Sequence, residues 1–168
     1  MKSATPYENY PLKIVLIANL SSLLIYTVGF YVLFKVHWIW ALAYLAYVFF
    51  LEFRLLGTGC INCYYYNKRC AFGKGKISAL FFKKANNQLF CEKSLTWKDM
   101  IPDLLVSLIP FLAGIVLLIW NFSLILFVLL AILVLLSTIG NGFIRGKLAC
   151  KNCIQRDLGC PADQLFNK

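Results

Sequence analysis

Four long apolar stretches dominate this chain and leave few options for its fold. They cover residues 14–34, 38–56, 104–120 and 122–144, and only the second contains charges, at Glu52 and Arg54. Each is close to the roughly 17–25 residues with which a helix crosses a bilayer. Only 14% of the 168 residues are charged, against about a quarter in soluble domains. The sequence therefore predicts an all-α membrane protein with four transmembrane helices.

Basic residues are distributed very unevenly around these stretches. Sixteen of the seventeen Lys and Arg residues lie in the N-terminus, the central segment, the tail or the span ends that adjoin them. Only Lys35 lies at the opposite ends of the spans, where short turns connect the first stretch to the second and the third to the fourth. Basic residues near span ends stay on the cytoplasmic side. We therefore expect a multi-pass protein of the cell (cytoplasmic) membrane, with both termini and the central segment in the cytoplasm. Tyrosines and tryptophans at the predicted boundaries, including Tyr7 and Tyr10, fit an interfacial aromatic belt.

The two halves of the chain repeat the same features in the same order. Pro11 lies 49 residues before Cys60, and Pro102 lies 48 residues before Cys150. Connections as short as residues 35–37 and the region around Asn121 make each half a helical hairpin. Recurrence at a fixed period indicates tandem duplication. We predict a single membrane domain, 1–168, with repeats 10–84 and 101–168 and a connecting segment 85–100, related by an axis along the membrane normal.

A cysteine motif, C-x-N-C-x6-C, follows each predicted hairpin. Six of the seven cysteines belong to its two copies: Cys60, Cys63, Cys70, Cys150, Cys153 and Cys160. In a C-x2-C turn both thiolates can reach one metal ion, and a third thiolate seven positions on can close around the same ion or a neighbouring one. These six residues are therefore the predicted metal ligands. Cys91 has no counterpart in the other half, and His37 falls on the opposite side of the membrane.

Three chemistries suit this pattern. Zinc favours four tetrahedral thiolates, which Cys60, Cys63, Cys150 and Cys153 would supply, leaving Cys70 and Cys160 as outer ligands or unpaired. An iron–sulfur cluster also uses cysteine thiolates. Disulfide chemistry is disfavoured because the cytoplasm is reducing. Six cysteines that hold no metal remain the fourth alternative.

The central segment contains one candidate for membrane-surface contact. Residues 76–84, KISALFFKK, place apolar side chains on one helical face, with Lys76, Lys83 and Lys84 at the ends. Such a helix lies in the headgroup layer, and its lysines favour anionic lipid. The alternative is a basic loop that only fixes topology. A protein partner or a second copy of the chain is a further predicted contact, and nucleic acid is not predicted.

The segments CINCYYYNKRCAFGKG and ACKNCIQRDLGCPADQLF resemble those of a family of small prokaryotic four-span membrane proteins without an established activity. This resemblance implies a four-helix fold and nothing about mechanism. A comparison with quinone-linked thiol oxidoreductases is weaker, because their active cysteines face the oxidising side. The predicted function is a membrane-anchored metal-binding protein, zinc favoured, whose thiolate site clamps the two repeats or forms a docking surface. The alternative is a redox protein that passes electrons between an iron–sulfur or dithiol centre and quinone. Whether the chain is an enzyme stays open.

Overall fold

The computed structural model describes residues 6–86, 97–158 and 160, and this part of the chain is helical. The helices are α1 (Leu12–Val36), α2 (Trp38–Thr58), α3 (Lys74–Phe81), α4 (Trp97–Trp120), α5 (Leu124–Leu135) and α6 (Ile154–Asp157). The α5 helix continues through π-helical Leu136–Gly140, an α-turn Asn141–Phe143 and π-helical Ile144–Ala149. A short 3-10 turn, Cys60–Asn62, follows α2, and another, Cys150–Asn152, follows the π-helical segment Ile144–Ala149.

Four of these helical runs are long and apolar enough to cross a membrane. They are Leu12–Val36, Trp38–Asn62, Asp99–Trp120 and Leu124–Asn152. For the described residues, this confirms the prediction of a helical chain with four helices able to span a membrane. The fourth run extends beyond the predicted boundary at Ile144, because Arg145 and Lys147 end the uncharged stretch without ending the helix. Long basic side chains can extend along a helix towards polar surroundings, so a charge marks a membrane boundary better than a helix end.

The chain divides into two compact units. One contains Met1–Asn19, Glu52–Leu95 and Gly142–Lys168, and we call it the motif unit because both cysteine motifs belong to it. The other contains Leu20–Leu51 and Thr96–Asn141, and we call it the span unit.

The span unit has two small buried clusters. Val28 and Val32 of α1 pack with three leucines of α5, and Leu33 packs with residues of α2 and α4. Most of the remaining large apolar side chains are exposed. A bilayer solvates such an apolar surface without penalty, and helices satisfy their own backbone hydrogen bonds there.

Pro110 explains one specific contact in the span unit. Proline has no N–H group, so the carbonyl of Val106 lacks its usual helical donor. The Tyr44 hydroxyl donates a hydrogen bond to this carbonyl at 3.0 Å. Gly29 of α1 leaves room for the Tyr44 ring, since a Cβ atom at Gly29 would lie 2.7 Å from the ring carbon Cζ. The Val106 carbonyl of α4 is therefore satisfied by the Tyr44 side chain of α2.

Candidate thiol site

The two cysteine motifs have the same local backbone conformation. In each, the first three residues form a 3-10 turn and the second cysteine is extended, with φ −83° and ψ 148° at Cys63 and φ −92° and ψ 123° at Cys153. The N–H of Cys63 donates to the Cys60 carbonyl at 3.3 Å, and that of Cys153 donates to the Cys150 carbonyl at 3.2 Å. Equal spacing has thus produced equal turns, and the tandem duplication itself remains a prediction.

Cysteines from both motifs pack against one buried core in the motif unit. The core consists of Tyr10, Tyr65, Ala71 and Ala149. Partly buried side chains packed against it include Cys63, Cys70 and Cys153. The second and third cysteines of motif one and the second cysteine of motif two therefore line the same core.

The segment 7–10, which precedes α1, binds both motifs through its backbone. The N–H of Tyr7 donates to the Asn152 carbonyl at 3.0 Å, and the N–H of Tyr10 donates to the Arg69 carbonyl at 2.9 Å. The Tyr10 hydroxyl donates to the Ala149 carbonyl at 2.5 Å. The interpretation of Tyr10 as an interfacial belt residue is wrong, because its side chain is 1% exposed and these polar groups surround it.

Tyr65 and Gln155 connect the motifs directly. The Tyr65 hydroxyl donates to the Tyr7 carbonyl at 2.5 Å and accepts from the N–H of Ile154 at 3.1 Å. The N–H of Tyr64 donates to Oε1 of Gln155 at 2.7 Å, and Gln155 is 1% exposed. Buried polar groups that are paired in this way fix the relative position of the segments that carry them.

The second cysteine of each motif has an unusual electrostatic environment. Burial raises the pKa of the Cys63 thiol to about 12; the charges of Cys153, Cys70 and Cys60 add to this, while the N–H of Tyr65 opposes it. Burial also raises the pKa of Cys153, an effect that the charge of Cys160 increases. The N–H groups of Gln155 and Arg156 and the Tyr10 hydroxyl lower it. Both second cysteines are therefore partly buried and have backbone N–H donors near their sulfurs.

The first cysteine of motif one lies beside an ion pair. Cys60 is within electrostatic range of Cys70, Lys74 and Glu52, and Lys74 Nζ is 2.6 Å from Glu52 Oε2. Lys68 is held differently, since its ammonium lies 4.3 Å from the centre of the Tyr64 ring and 3.1 Å from its hydroxyl.

All six motif cysteines are thiols. Within the described residues, no group of three or more His, Cys, Asp or Glu side chains is close enough to hold a metal ion as it stands. Cys91 lies outside the described residues. The spacing of the cysteines predicted the candidate site, but it did not reveal Tyr10, Tyr65 or Gln155. Only the run of three tyrosines directly after Cys63 marks this contact region in the sequence.

No protein-family model, curated protein or solved structure matches this chain. The resemblance to small four-span membrane proteins therefore depends on the quoted motif segments alone.

Proposed function

We propose that this chain is a membrane-anchored metal-binding protein whose two cysteine motifs supply thiolate ligands, with zinc the favoured ion. We place the site on the cytoplasmic face because of the charge asymmetry. The observation that carries the proposal is the matched pair of cysteine turns packed on one core. Each turn presents a sulfur near backbone N–H donors, the arrangement that stabilises a metal-bound thiolate.

A zinc-bound thiolate suits this partly buried environment better than a free thiolate does. Buried thiols resist losing their protons, so only a bound cation would make thiolates stable there. Metal binding then releases those protons and stabilises the folded form. Zinc–thiolate sites with four sulfur ligands are closed and structural, which fits a clamp between the two repeats or a rigid surface for a partner protein or a second copy.

The competing redox function is separated from this one by metal analysis. The protein is purified anaerobically in detergent, zinc, iron and acid-labile sulfide are quantified, and a visible spectrum is recorded. We expect zinc without colour, and its loss in a Cys63→Ser/Cys153→Ser double variant. A brown protein that contains iron and sulfide would replace the zinc proposal with the electron-transfer alternative, whereas a protein without metal would end both metal proposals.

Lipid contact through α3 forms the second part of the proposal. Ile77, Leu80 and Phe81 are 45%, 80% and 62% exposed. The opposite side of the helix packs on the protein: the Ser78 hydroxyl donates to the Leu56 carbonyl at 3.0 Å. An exposed apolar face on a short helix that contains Lys76 and is followed by Lys83 and Lys84 has the chemistry of a headgroup-layer helix, and the lysines favour anionic lipid.

A further inference from the structure

A short segment ahead of α1 pairs with motif two at its second cysteine. We call this segment, residues 7–9, the strap. The N–H of Tyr7 donates to the carbonyl of Asn152, the residue before Cys153, at 3.0 Å. Tyr7 also forms an isolated parallel β-bridge with Cys153 itself. The backbone at Cys153 is therefore paired with the backbone of the strap.

A tyrosine of motif one extends this contact to the other side of Cys153. The Tyr65 hydroxyl donates to the Tyr7 carbonyl at 2.5 Å and accepts the N–H of Ile154 at 3.1 Å. Cys153 itself packs, partly buried, against the core that contains Tyr10 and Tyr65. The strap is thus connected to the residue on each side of Cys153.

Motif one holds the strap in this position. Oδ1 of Asn9 accepts the N–H of Arg69 at 3.1 Å. The next residue, Tyr10, donates its own N–H to the Arg69 carbonyl at 2.9 Å, and its side chain is 1% exposed. One motif therefore supplies the support that keeps the strap against the other motif.

The strap has the properties of a segment that opens locally. Tyr7 is 36% exposed, and Glu8 and Asn9 are exposed as well. These residues lie outside the helices, so they are held by the bonds to the motif loops and by the edge-on contact of the Tyr7 and Tyr10 rings. Segments with few buried apolar contacts and exposed backbone hydrogen bonds open at a free energy well below that of global unfolding.

We propose that the strap controls access to the Cys153 thiol. In the closed position it fixes residues 152–154 beside the core, and when residues 7–9 swing away it admits a thiol-binding solute. The bond between Asn9 and Arg69 is the latch, and Tyr10, which stays in the core, is the hinge. Such gating goes beyond the proposed function, because access depends on the strap whether the solute is a zinc ion or another thiol reagent.

Alkylation rates at individual cysteines test the strap on the full-length protein. The detergent-solubilised chain is treated with a chelator, so that bound metal does not mask the thiols, and then with a small maleimide for increasing times. Mass spectrometry of the peptides gives the rate at Cys153 and, as an internal reference, at Cys60. Loss of one hydrogen bond shifts an opening equilibrium by about two- to tenfold. We expect Asn9→Ala to raise the rate at Cys153 by that factor and to leave the rate at Cys60 unchanged.

Two further variants complete the test. Asn9→Asp is the matched control, because it keeps an acceptor oxygen for the Arg69 N–H and should retain the original rate at Cys153. Tyr7→Pro removes a donor of the strap itself and should raise that rate.

The coupling between the motifs decides the outcome, since the altered bond of Asn9→Ala is to motif one and the measured thiol is in motif two. An unchanged rate at Cys153 in this variant would overturn the latch. An equal rise at Cys60 would indicate general loosening of the motif unit and would also overturn it. Absence of bound zinc in the purified protein would instead end the proposed function and leave these rates as they are.

Discussion

Tyr10 connects three parts of the motif unit through one side chain and one peptide group. Its hydroxyl donates to the Ala149 carbonyl, and Cys153 packs against the buried core to which Tyr10 belongs. Its ring packs edge-on against Tyr65, with centroids 5.5 Å apart. The residue thus supports the site both by packing and by pairing buried polar groups.

Tyr10→Phe tests this role at the level of one hydroxyl. The variant keeps the ring but leaves the Ala149 carbonyl without this donor, which costs about 1–3 kcal/mol when the group is buried. We expect a loss of that size in unfolding experiments in mixed detergent micelles. Tyr7→Phe is the matched control, because its more exposed ring also contacts Tyr10; an equal loss in both variants would contradict the assignment.

Gly75 shows the closest backbone approach in the motif unit. A Cβ atom there would collide with the Tyr65 carbonyl and lie 2.6 Å from the Lys68 carbonyl. The N–H of Asn67 donates to the Gly75 carbonyl at 3.0 Å, which holds the motif-one loop against the start of α3. A side chain at this position would force the two segments apart.

Two glycine-to-alanine substitutions should therefore change the free energy of unfolding differently. Gly75→Ala should destabilise the protein by about 1–3 kcal/mol, the usual range for overpacking. Gly142→Ala should be neutral or stabilising by up to about 1 kcal/mol, because no atom lies within 4 Å of its added Cβ and alanine favours helix. Both are measured by the same micelle unfolding assay. A neutral Gly75→Ala would contradict the close approach of α3 to the loop.

At the scale of elements, α3 is the helix whose environment the sequence left open. Its Ser78 face packs against the end of α2, and the Phe81 ring lies 5.9 Å from that of Phe53. Phe53 is itself an exposed residue of a candidate span. The exposed face of α3 is therefore continuous with a surface that lipid covers in the proposed arrangement.

Photo-crosslinking tests where this face lies. With p-benzoylphenylalanine in place of Leu80, irradiation in vesicles of mixed neutral and anionic phospholipid should give a chain–lipid adduct detected by mass spectrometry. The same photoreactive residue in place of Asn67, which lies in the motif-one loop, is the control and should give little adduct. Equal adduct formation at both positions would indicate that α3 is an ordinary surface helix.

At the scale of the whole molecule, the four long apolar helices were predictable because uncharged stretches of about 20 residues are typical of helices that cross a bilayer. The matched cysteine turns were also predictable, since local spacing determines local backbone. Symmetry between the repeats favoured a shared location for the two motifs, but it did not indicate which contacts would hold them together. It depends on Tyr10, Tyr65 and Gln155, whose role follows from contacts between residues distant in sequence. The sequence alone does not distinguish a tyrosine in an interfacial aromatic belt from a tyrosine in a buried core.

Topology is the molecule-scale prediction that charge asymmetry supports. His37→Cys places a thiol in the turn between the first two spans, and an impermeant maleimide should label this variant in intact cells above the level of the unmodified chain. Lys151→Cys, within the second motif, should gain label only after permeabilisation. The reverse pattern would place the motifs outside the cell, where an oxidising environment favours disulfides.

In the proposed function, sulfur atoms from both motifs bind the metal. Zinc K-edge X-ray absorption on the full-length protein measures the ligand atoms and distances directly. We expect a shell of sulfur ligands alone at about 2.3 Å. A shell of nitrogen or oxygen ligands at about 2.0–2.2 Å, or a protein that retains no zinc, would contradict it.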